Sequence, residues 1–356
     1  MGFVVYNSFM KFKNLDTPVF FPDATRAVLR TLDSVDITNT NTKGILVNTY
    51  HLYTDLGADV IKKHGGIKKF MNWDGAVISD SGGFQVMSVA KTSGGKITDE
   101  GVIFRPSKNK KSLFTPEDSI KFQFILDSDM VVVLDDFTPP GMSEKVARNT
   151  VERTILWAKQ CKEIFNQECE RKKLDETTRP YLLGVVQGGE YEALRAECAQ
   201  RLVDIGFDGL GYGGWPIDAD GKFDYKSAQI IAENAPKNYF LYGLGIGKPD
   251  EVVTLSKMGY HIFDCVLPTR DARHKRLYVF DKSSPKGFSY YVPDRERYYK
   301  DTNPIDKNCD CLLCTHYTRS YLAHLFRIGD ATALRLATIH NLRFYSMLME
   351  GLQKES

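Results

Sequence analysis

The sequence predicts an α/β fold: a (β/α)8 TIM barrel with a C-terminal zinc-binding subdomain. Three observations predict it. Eight short apolar runs recur along the chain, helical patterns lie between many of them, and polar residues stand where the runs end. Strands that alternate with helices are typical of a parallel sheet covered by helices. An open, doubly wound sheet shows the same local pattern and is the alternative.

The eight runs are short and rich in β-branched and aromatic residues, as strands are. They cover residues 17–22, 44–49, 76–79, 130–134, 181–186, 207–211, 239–244 and 262–266. Residues 143–169, 190–205 and 249–258 have the apolar spacing of amphipathic helices. Another helix is expected to begin with Thr115 as N-cap, Pro116 at the first helical position and acids in the first turn.

Polar residues or glycines lie at or just past the C-terminal end of most of the runs. They are Asn48, Asp80, Asp135, Gln187, Gly213, Gly214, Gly245 and Asp264. In a barrel the carboxyl ends of all strands meet at one mouth, where catalytic residues lie, whereas an open sheet spreads them along an edge. Polar groups that converge therefore favour the barrel.

Length and composition suit a single catalytic domain over residues 1–356. Hydrophobic residues make up 42% of the chain and charged residues 26%, so it can bury a core. We assign residues 17–269 and 320–352 to the barrel and residues 270–319 to a basic, zinc-binding subdomain. No apolar run is long enough to span a membrane, and residues 1–15 lack the apolar core of a signal peptide, which predicts a cytoplasmic protein.

Three of the seven cysteines lie within six residues: Cys309, Cys311 and Cys314. Cytosolic cysteines stay reduced, so this cluster indicates metal ligands, and its spacing suits tetrahedral Zn²⁺. The fourth ligand is expected among His316, His324 and His340. His316 lies too close to Cys314 to close a tetrahedron easily, and His340 lies in a predicted helix. Three cysteines and a histidine leave no open coordination position, so the site is predicted to be structural.

Asp80 and Asp264 are the candidate catalytic carboxylates. Asp80 precedes Gly82 and Gly83, whose missing side chains let a ligand approach the backbone. Two carboxylates at one barrel mouth can act as nucleophile and as general acid and base, as in retaining glycoside chemistry.

Six ordered blocks resemble the signature motifs of the tRNA-guanine transglycosylase (queuine tRNA-ribosyltransferase) family, in its bacterial-type catalytic form. They are VNTYHL (47–52), SDSGGFQVM (79–87), VQG (186–188), GFDG (206–209), GIGKP (245–249) and FDCVLPTR (263–270). The cysteine cluster with a later histidine resembles the zinc site of that family, whose spacing selects His340. The resemblance runs from about residue 17 to residue 352.

Members of this family are pentosyltransferases that exchange guanine at the wobble position of tRNA for a 7-deazaguanine. The resemblance implies that Asp264 attacks the anomeric carbon and forms a covalent ribosyl-enzyme, from which the incoming base displaces it. Asp80 would protonate the departing guanine and deprotonate the incoming base. The resemblance also implies Zn²⁺ as cofactor, a tRNA with a G-U-N anticodon as partner, a homodimer, and a role in queuosine biosynthesis or salvage.

The resemblance further implies which residues bind the base and the RNA. For the base they are Ser81, Phe84, Asp135, Gln187, Gly214 and Leu244; for the RNA they are Lys248, Arg270 and Arg273. Asp135 would accept hydrogen bonds from the base, Gln187 and the Gly214 N–H would meet its carbonyl oxygen, and Phe84 would stack on it. Residues 270–300 hold nine Lys or Arg against four Asp or Glu, with aromatic residues among them, which suits RNA contact.

The segment after Gly214 departs from the family pattern. Trp215 and Pro216 follow where the family has Leu and a small residue, and a family Glu position falls on Ala219. Phe137 also replaces a smaller residue. These changes touch the pocket end that holds the 7-substituent, so 7-aminomethyl-7-deazaguanine and queuine are both candidates for the incoming base. Loss of a Glu that pairs with a cationic amine favours queuine, although Asp218 is placed to compensate.

Two other functions are the alternatives. The first is a non-catalytic binding subunit of the same fold; such subunits tend to lose catalytic residues, and both Asp80 and Asp264 are retained. The second is a related transglycosylase that modifies DNA, against which the arginines and the intact zinc block favour RNA.

Overall fold

The computed structural model describes residues 10–84, 87–88, 94–107, 110–217 and 220–355, and eight parallel strands form its central sheet. The strands are β1 (Val19–Pro22), β2 (Gly44–Asn48), β3 (Ala76–Asp80), β4 (Met130–Val132), β5 (Tyr181–Val186), β6 (Gly209–Tyr212), β7 (Phe240–Gly243) and β8 (Ile262–Cys265). β2 to β8 pair in chain order, β8 pairs with β1, and a bridge between Asp23 and Leu46 joins β1 to β2. The sheet is therefore a barrel, as predicted, and each strand end lies within two residues of its predicted position.

The floor of the barrel is closed by Phe12, which is fully buried. Its ring contacts those of Phe21, Tyr181 and Phe240 at centroid distances of 5.5, 5.3 and 5.9 Å. Phe12 belongs to a short hairpin, Lys11–Phe12 with Leu15–Asp16, which we did not predict because its strands are only two residues long.

Helices cover the outside of the barrel. They are Ser34–Asn39, Thr49–Asp55, Ala58–His64, Ile67–Met71, Pro116–Leu126, Glu144–Lys172, Glu192–Ile205, Tyr225–Asn234 and Pro249–Lys257. The predicted helix start at Thr115 is confirmed: its side chain accepts a hydrogen bond from the Asp118 N–H, and the Asp118 carboxylate accepts one from the Thr115 N–H.

In chain order, an antiparallel sheet is inserted between β3 and the helix Pro116–Leu126. Its strands are Lys96–Thr98, Gly101–Ser107 and Lys110–Phe114. The sequence did not predict this sheet, because lysines and serine interrupt its outer strands and the apolar run of its middle strand is only three residues long, at 102–104.

The chain after β8 forms the predicted C-terminal region. It contains the helix Leu267–Arg273, the hairpin Leu277–Phe280 with Phe288–Tyr291, the 3-10 helix Glu296–Tyr298, and the helices Leu312–His316, Arg319–Ile328 and Ala331–Glu355. We call Ala331–Glu355 the final helix. Phe344 and Leu348 on this helix join the core of the barrel, whereas Leu336 and Ile339 join a second core that includes the three clustered cysteines. The final helix thus ties the two cores together, and the domain limits at residues 270 and 319 stay a prediction.

None of the helices that the structure describes is both long and apolar enough to cross a lipid bilayer.

Candidate active site and metal centre

The mouth of the barrel opens into a cavity of about 290 Å³. Its lining includes all eight residues predicted to lie at the catalytic or base-binding site: Asp80, Ser81, Phe84, Asp135, Gln187, Gly214, Leu244 and Asp264. The carboxyl ends of β3 to β8 supply most of them, as expected for a barrel mouth. The sequence positions predicted from strand ends therefore converge in space.

Asp80 is the last residue of β3, and three donors surround its carboxylate. Asn48 Nδ2 donates to Oδ2 at 2.7 Å, and the N–H groups of Thr49 and Gly82 donate to Oδ1 at 3.1 and 3.0 Å. Burial nevertheless dominates and raises the pKa of Asp80 to about 7, with the nearby charge of Asp23 acting in the same direction. At neutral pH this carboxyl can therefore both give and take a proton.

Asp264 lies in β8 and is 7% exposed. The Gly245 N–H donates to its Oδ1 at 2.9 Å, from a backbone position with φ +70° that favours glycine. Burial raises the pKa of Asp264 to about 7, and the charge of Asp23 adds to this rise. Two carboxyls with raised pKa values therefore face one cavity.

Asp135 and Gln187 form a polar pair on another side of the cavity. Gln187 Nε2 donates to Asp135 Oδ2 at 2.6 Å, and burial raises the pKa of Asp135 to about 6. Gln187 is 1% exposed, and its Oε1 has no hydrogen-bond partner within the described chain. A buried amide whose hydrogen-bonding groups are only partly used is costly, so this side of the cavity suits a polar ligand, to which the second N–H of Gln187 Nε2 can donate.

Arg195 supports the loops beside this pair, and sequence reasoning did not identify it. Its side chain is 1% exposed, and its guanidinium donates to the carbonyl oxygens of Gly189 at 2.9 Å and Gly213 at 3.1 Å. The guanidinium also lies 4.7 Å from the ring centroid of Tyr212. Arg195 thereby fixes the loops that carry Gln187 and Gly214.

Aromatic side chains line the outer part of the cavity. Phe84 is 52% exposed and meets Phe137 edge to face at a centroid distance of 5.3 Å. Trp215 is also 52% exposed, and together with Phe84, Phe137, Pro139 and Pro140 it lines an adjoining cavity of about 340 Å³. We call this adjoining cavity the apolar annex. Asp218 and Ala219 lie outside the described residues, as do Gln85 and Val86.

Asp23 is a third carboxylate at the mouth that sequence reasoning missed. It follows β1 directly and bridges to Leu46, whose side chain lines the cavity. The sequence signal that could have found it is the same as for Asp80: an acidic residue immediately after a predicted strand.

The predicted RNA-binding residues lie outside the cavity lining. Arg270 is exposed and lies on the same short helix as the half-buried Arg273, whose Nη1 lacks a hydrogen-bond partner in the described structure. Burial and the charges of Arg30 and Arg270 lower the pKa of Arg273, so three arginines cluster beside the mouth. Lys248 is instead paired with Glu251 at 2.8 Å.

The aromatic residues of the basic segment mostly pack inside the C-terminal region. Phe288 and Tyr291 are buried, and Tyr298 packs against Tyr291 at a centroid distance of 4.5 Å. Tyr290 is the exception: it is 45% exposed and lies under the guanidinium of Arg276, 5.1 Å from its ring centroid.

The cysteine cluster and His340 form a potential metal-binding site. One ligand atom from each of Cys309, Cys311, Cys314 and His340 lies within 4.8 Å of the others. His340 Nδ1 lies 3.3 Å from the sulfur of Cys314 and 3.6 Å from that of Cys311, while its Nε2 lies 2.8 Å from the Tyr278 carbonyl oxygen. Because a carbonyl only accepts, Nε2 carries the proton and Nδ1 is free to bind a metal. The donor set fits zinc.

The metal site is connected to the helix that carries Arg270 and Arg273. Asn341, next to His340, donates through Nδ2 to the carbonyl oxygens of Pro268 and Arg276, both at 3.0 Å, and accepts from the Tyr278 N–H at 3.1 Å. The final helix therefore holds both ends of the helix Leu267–Arg273 in place.

Comparisons with known proteins agree with this geometry. A family model described as Queuine tRNA-ribosyltransferase matches residues 8–355. Proteins named queuine tRNA-ribosyltransferase from Staphylococcus aureus strains JH9, JH1 and USA300 are each 38% identical to this chain over 345 residues, which is 96% of this chain and 86% of each relative. The match thus covers the barrel, the mouth and the cysteine cluster. The chain belongs to the queuine tRNA-ribosyltransferase family.

Proposed function

We propose that this protein exchanges guanine in tRNA for a 7-deazaguanine by double displacement, with Asp264 as nucleophile and Asp80 as general acid and base. The observation that carries the proposal is that half-buried Asp80 and buried Asp264, both with a pKa of about 7, line one cavity that also presents the Asp135–Gln187 pair. With both pKa values near 7, a state with Asp264 ionised and Asp80 protonated is populated at neutral pH.

In the first displacement, a carboxylate oxygen of Asp264 bonds to C1′ of the ribose as the bond from C1′ to guanine breaks. The proton of Asp80 passes to the departing base. In the second displacement, the incoming base gives its proton to Asp80 and bonds to C1′ while the ester bond to Asp264 breaks. Two inversions retain the configuration at C1′, and one glycosidic bond replaces another.

We assign recognition of the base to the polar wall of the cavity. Asp135 accepts from the amine and ring N–H groups of a guanine-type base, and Gln187 and the Gly214 N–H donate to its carbonyl oxygen. Ser81 and Leu244 border the base, and Phe84 stacks on it. A base that cannot donate to Asp135 leaves this half-buried carboxylate with Gln187 as its side-chain partner and loses the hydrogen bonds that guanine makes, so other bases are rejected strongly.

For the incoming base we favour queuine over 7-aminomethyl-7-deazaguanine. The apolar annex of Phe84, Phe137, Pro139, Pro140 and Trp215 adjoins the base cavity, and its described lining carries no carboxylate. Both bases carry an amine in the 7-substituent, and queuine adds a ring to it, which gains from contact with the apolar side chains of the annex. Displacement of labelled guanine from tRNA by each base separately tests the choice: exchange with the aminomethyl base alone would overturn it.

We propose that Cys309, Cys311, Cys314 and His340 hold one Zn²⁺ ion with a structural role, since four protein ligands leave no open position. A G-U-N anticodon as target, a homodimer and RNA contact through Lys248, Arg270 and Arg273 complete the proposal. The ion pair of Lys248 with Glu251 must open, or accept the RNA beside it, for that lysine to contribute.

The central experiment is a search for the covalent RNA adduct. Wild-type protein mixed with a tRNA anticodon stem-loop is expected to give an RNA-shifted band that survives denaturation, and Asp264→Asn is expected to lose both this band and base exchange while still binding RNA. An Asp264→Asn protein that exchanges bases contradicts the mechanism. The same gel separates the alternatives: a binding subunit forms no adduct, and a DNA-modifying enzyme forms it with DNA.

A further inference from the structure

Asp23 follows β1, the strand whose pairing with β8 and β2 closes the barrel; we call this closure the seam. β8 pairs with β1 so that Asp264 lies opposite Phe21, and the Asp23 N–H donates to the Cys265 carbonyl at 3.4 Å. Residues two apart on a strand face the same side, and so do residues paired across neighbouring strands. Asp23 therefore faces the barrel interior one layer nearer the mouth than Asp264.

The bridge that joins β1 to β2 indicates the same orientation of the Asp23 side chain. Asp23 pairs with Leu46 of β2, and Leu46 lines the cavity. Asp23 thus projects toward the entrance of the cavity, above the proposed nucleophile, where the sugar of a bound nucleotide must lie if its base occupies the cavity.

One oxygen of Asp23 is engaged and the other is available. Oδ1 accepts from the Thr25 N–H at 2.8 Å and from the Thr25 hydroxyl at 2.6 Å, which fixes the side chain. Asp23 forms no ion pair with the described residues, and its Oδ2 accepts no hydrogen bond from them. A fixed carboxylate oxygen directed at an entrance can accept a hydrogen bond from a ligand.

Burial makes the ionised form of Asp23 costly in the free protein. Burial raises its pKa, and only Thr25, His51 and Arg273 oppose that rise. Asp23 also contributes to the raised pKa values of Asp80 and Asp264. A third acid so close to two others weakens the stability of the fold, so its benefit is expected in the complex with substrate.

We propose that Asp23 accepts a hydrogen bond from the 2′-hydroxyl of the target nucleotide and thereby makes the enzyme specific for RNA. The proposal rests on the proposed function. In an internal nucleotide the 3′ and 5′ oxygens carry phosphodiesters, so the 2′-hydroxyl is the one donor that the sugar offers a carboxylate. That hydroxyl neighbours C1′, and hydrogen bonds to the equivalent hydroxyl strengthen in oxocarbenium-like transition states. Asp23 is therefore expected to act on turnover more than on binding.

The test is a double-mutant cycle between Asp23 and the 2′-hydroxyl. Wild-type protein and Asp23→Ala each act on an RNA stem-loop and on the same stem-loop with 2′-deoxyguanosine at the target position. Removing the hydroxyl is expected to lower wild-type kcat/KM roughly 10- to 100-fold, the range for a hydrogen bond to a charged group, mainly through kcat. In Asp23→Ala the RNA rate falls by a similar factor, and the deoxy substitution costs less than about threefold more.

An equal deoxy penalty in wild type and Asp23→Ala overturns the proposal. Guanine exchange by the wild-type protein on RNA tests the proposed function separately, because it does not depend on the ratio of the two penalties. Asp55→Ala is the matched control: Asp55 is an exposed acid that pairs with Arg26 and does not line the cavity, so its loss should leave the deoxy penalty unchanged.

Asp23→Asn provides a second variant that keeps the size and one acceptor oxygen. It is expected to retain part of the deoxy penalty and to lower the pKa values of Asp80 and Asp264. Both limbs of its pH–rate profile should therefore move to lower pH. A role of Asp23 in folding alone would leave the profile in place.

Discussion

Nε2 of His340 donates a hydrogen bond to the carbonyl oxygen of Tyr278 at 2.8 Å, which leaves Nδ1 facing the sulfur atoms of Cys311 and Cys314. Tyr278 lies in the strand Leu277–Phe280, which follows the helix with Arg270 and Arg273. This one hydrogen bond therefore orients His340 and also fixes the backbone of that strand. The potential metal-binding site is therefore connected through the backbone to the helix that carries Arg270 and Arg273, the proposed RNA-binding residues.

We expect His340→Ala to abolish stoichiometric zinc. The purified wild-type protein should contain about one zinc ion per chain, and the variant should contain almost none and unfold more easily by several kcal/mol, the scale of structural zinc sites. His316→Ala is the control, since His316 is exposed and bonds to the Thr315 hydroxyl. Full zinc content in His340→Ala, measured by atomic emission, would identify another fourth ligand.

Asn48→Ser should move one limb of the pH–rate profile. Asn48 Nδ2 stabilises the ionised form of Asp80, so shortening it raises the pKa of Asp80 further above 7. Asp80 must be protonated to act on the departing guanine, so the alkaline limb of kcat moves to higher pH by about one unit. Serine keeps an acceptor for the N-cap bond to the His51 N–H. A shift of the acid limb alone would assign the acid role to another residue.

Asp264→Asn should stabilise the fold in alkaline solution. The pKa of Asp264 is about 7 in the folded state and near 4 in an unfolded chain, so the carboxyl favours folding below pH 4 and this contribution is lost as the pH rises through 7. At pH 8 the amide avoids a buried charge and gains about 2–4 kcal/mol of unfolding free energy over the wild type. At pH 4 the two proteins should be nearly equal in urea titrations. An equal gain in unfolding free energy at both pH values would mean that ionisation of the Asp264 carboxyl does not destabilise the fold.

Arg195→Leu should impair base binding more than the substitution of a surface arginine does. It leaves the Gly189 and Gly213 carbonyls without their buried donor and frees the loops of Gln187 and Gly214, so the KM for the incoming base should rise about tenfold and stability should fall by about 3 kcal/mol. Arg201 lies on the same helix and forms exposed ion pairs with Glu152 and Glu197, so Arg201→Ala should cost under about 1 kcal/mol. Equal KM values in the two variants would remove Arg195 from the positioning of the site.

The strand ends were the most informative part of the sequence. The polar residues Asp80, Asp135, Gln187 and Asp264 lie at or just past the ends of apolar runs. Barrel geometry alone brings such residues together, so their convergence could be predicted without knowing any contact. The cysteine spacing likewise predicted three of the four metal ligands. The choice of His340 needed the family pattern, because its position depends on how the final helix packs.

The remaining residues could not be assigned from local pattern. Arg195 lies in an amphipathic helix, where an arginine usually faces solvent, and only the packing of that helix on two glycine loops buries it. The position of Asp23 at the mouth depends on its pairing with Leu46 across the seam, a contact between strands that are distant in the sequence. The roles of Arg195 and Asp23 depend on strand pairing and burial in the folded protein, which a short stretch of sequence does not contain.

The final helix has a consequence for how the protein is made. It completes the core of the barrel, joins the core around the cysteines and supplies His340, yet it is the last segment of the described chain to leave the ribosome. A nascent chain therefore exposes a barrel wall and three thiols until the final helix has left the ribosome. A premature stop anywhere before residue 340 yields a product with an open core and an incomplete ligand set, which chaperones and proteases can distinguish from the finished enzyme.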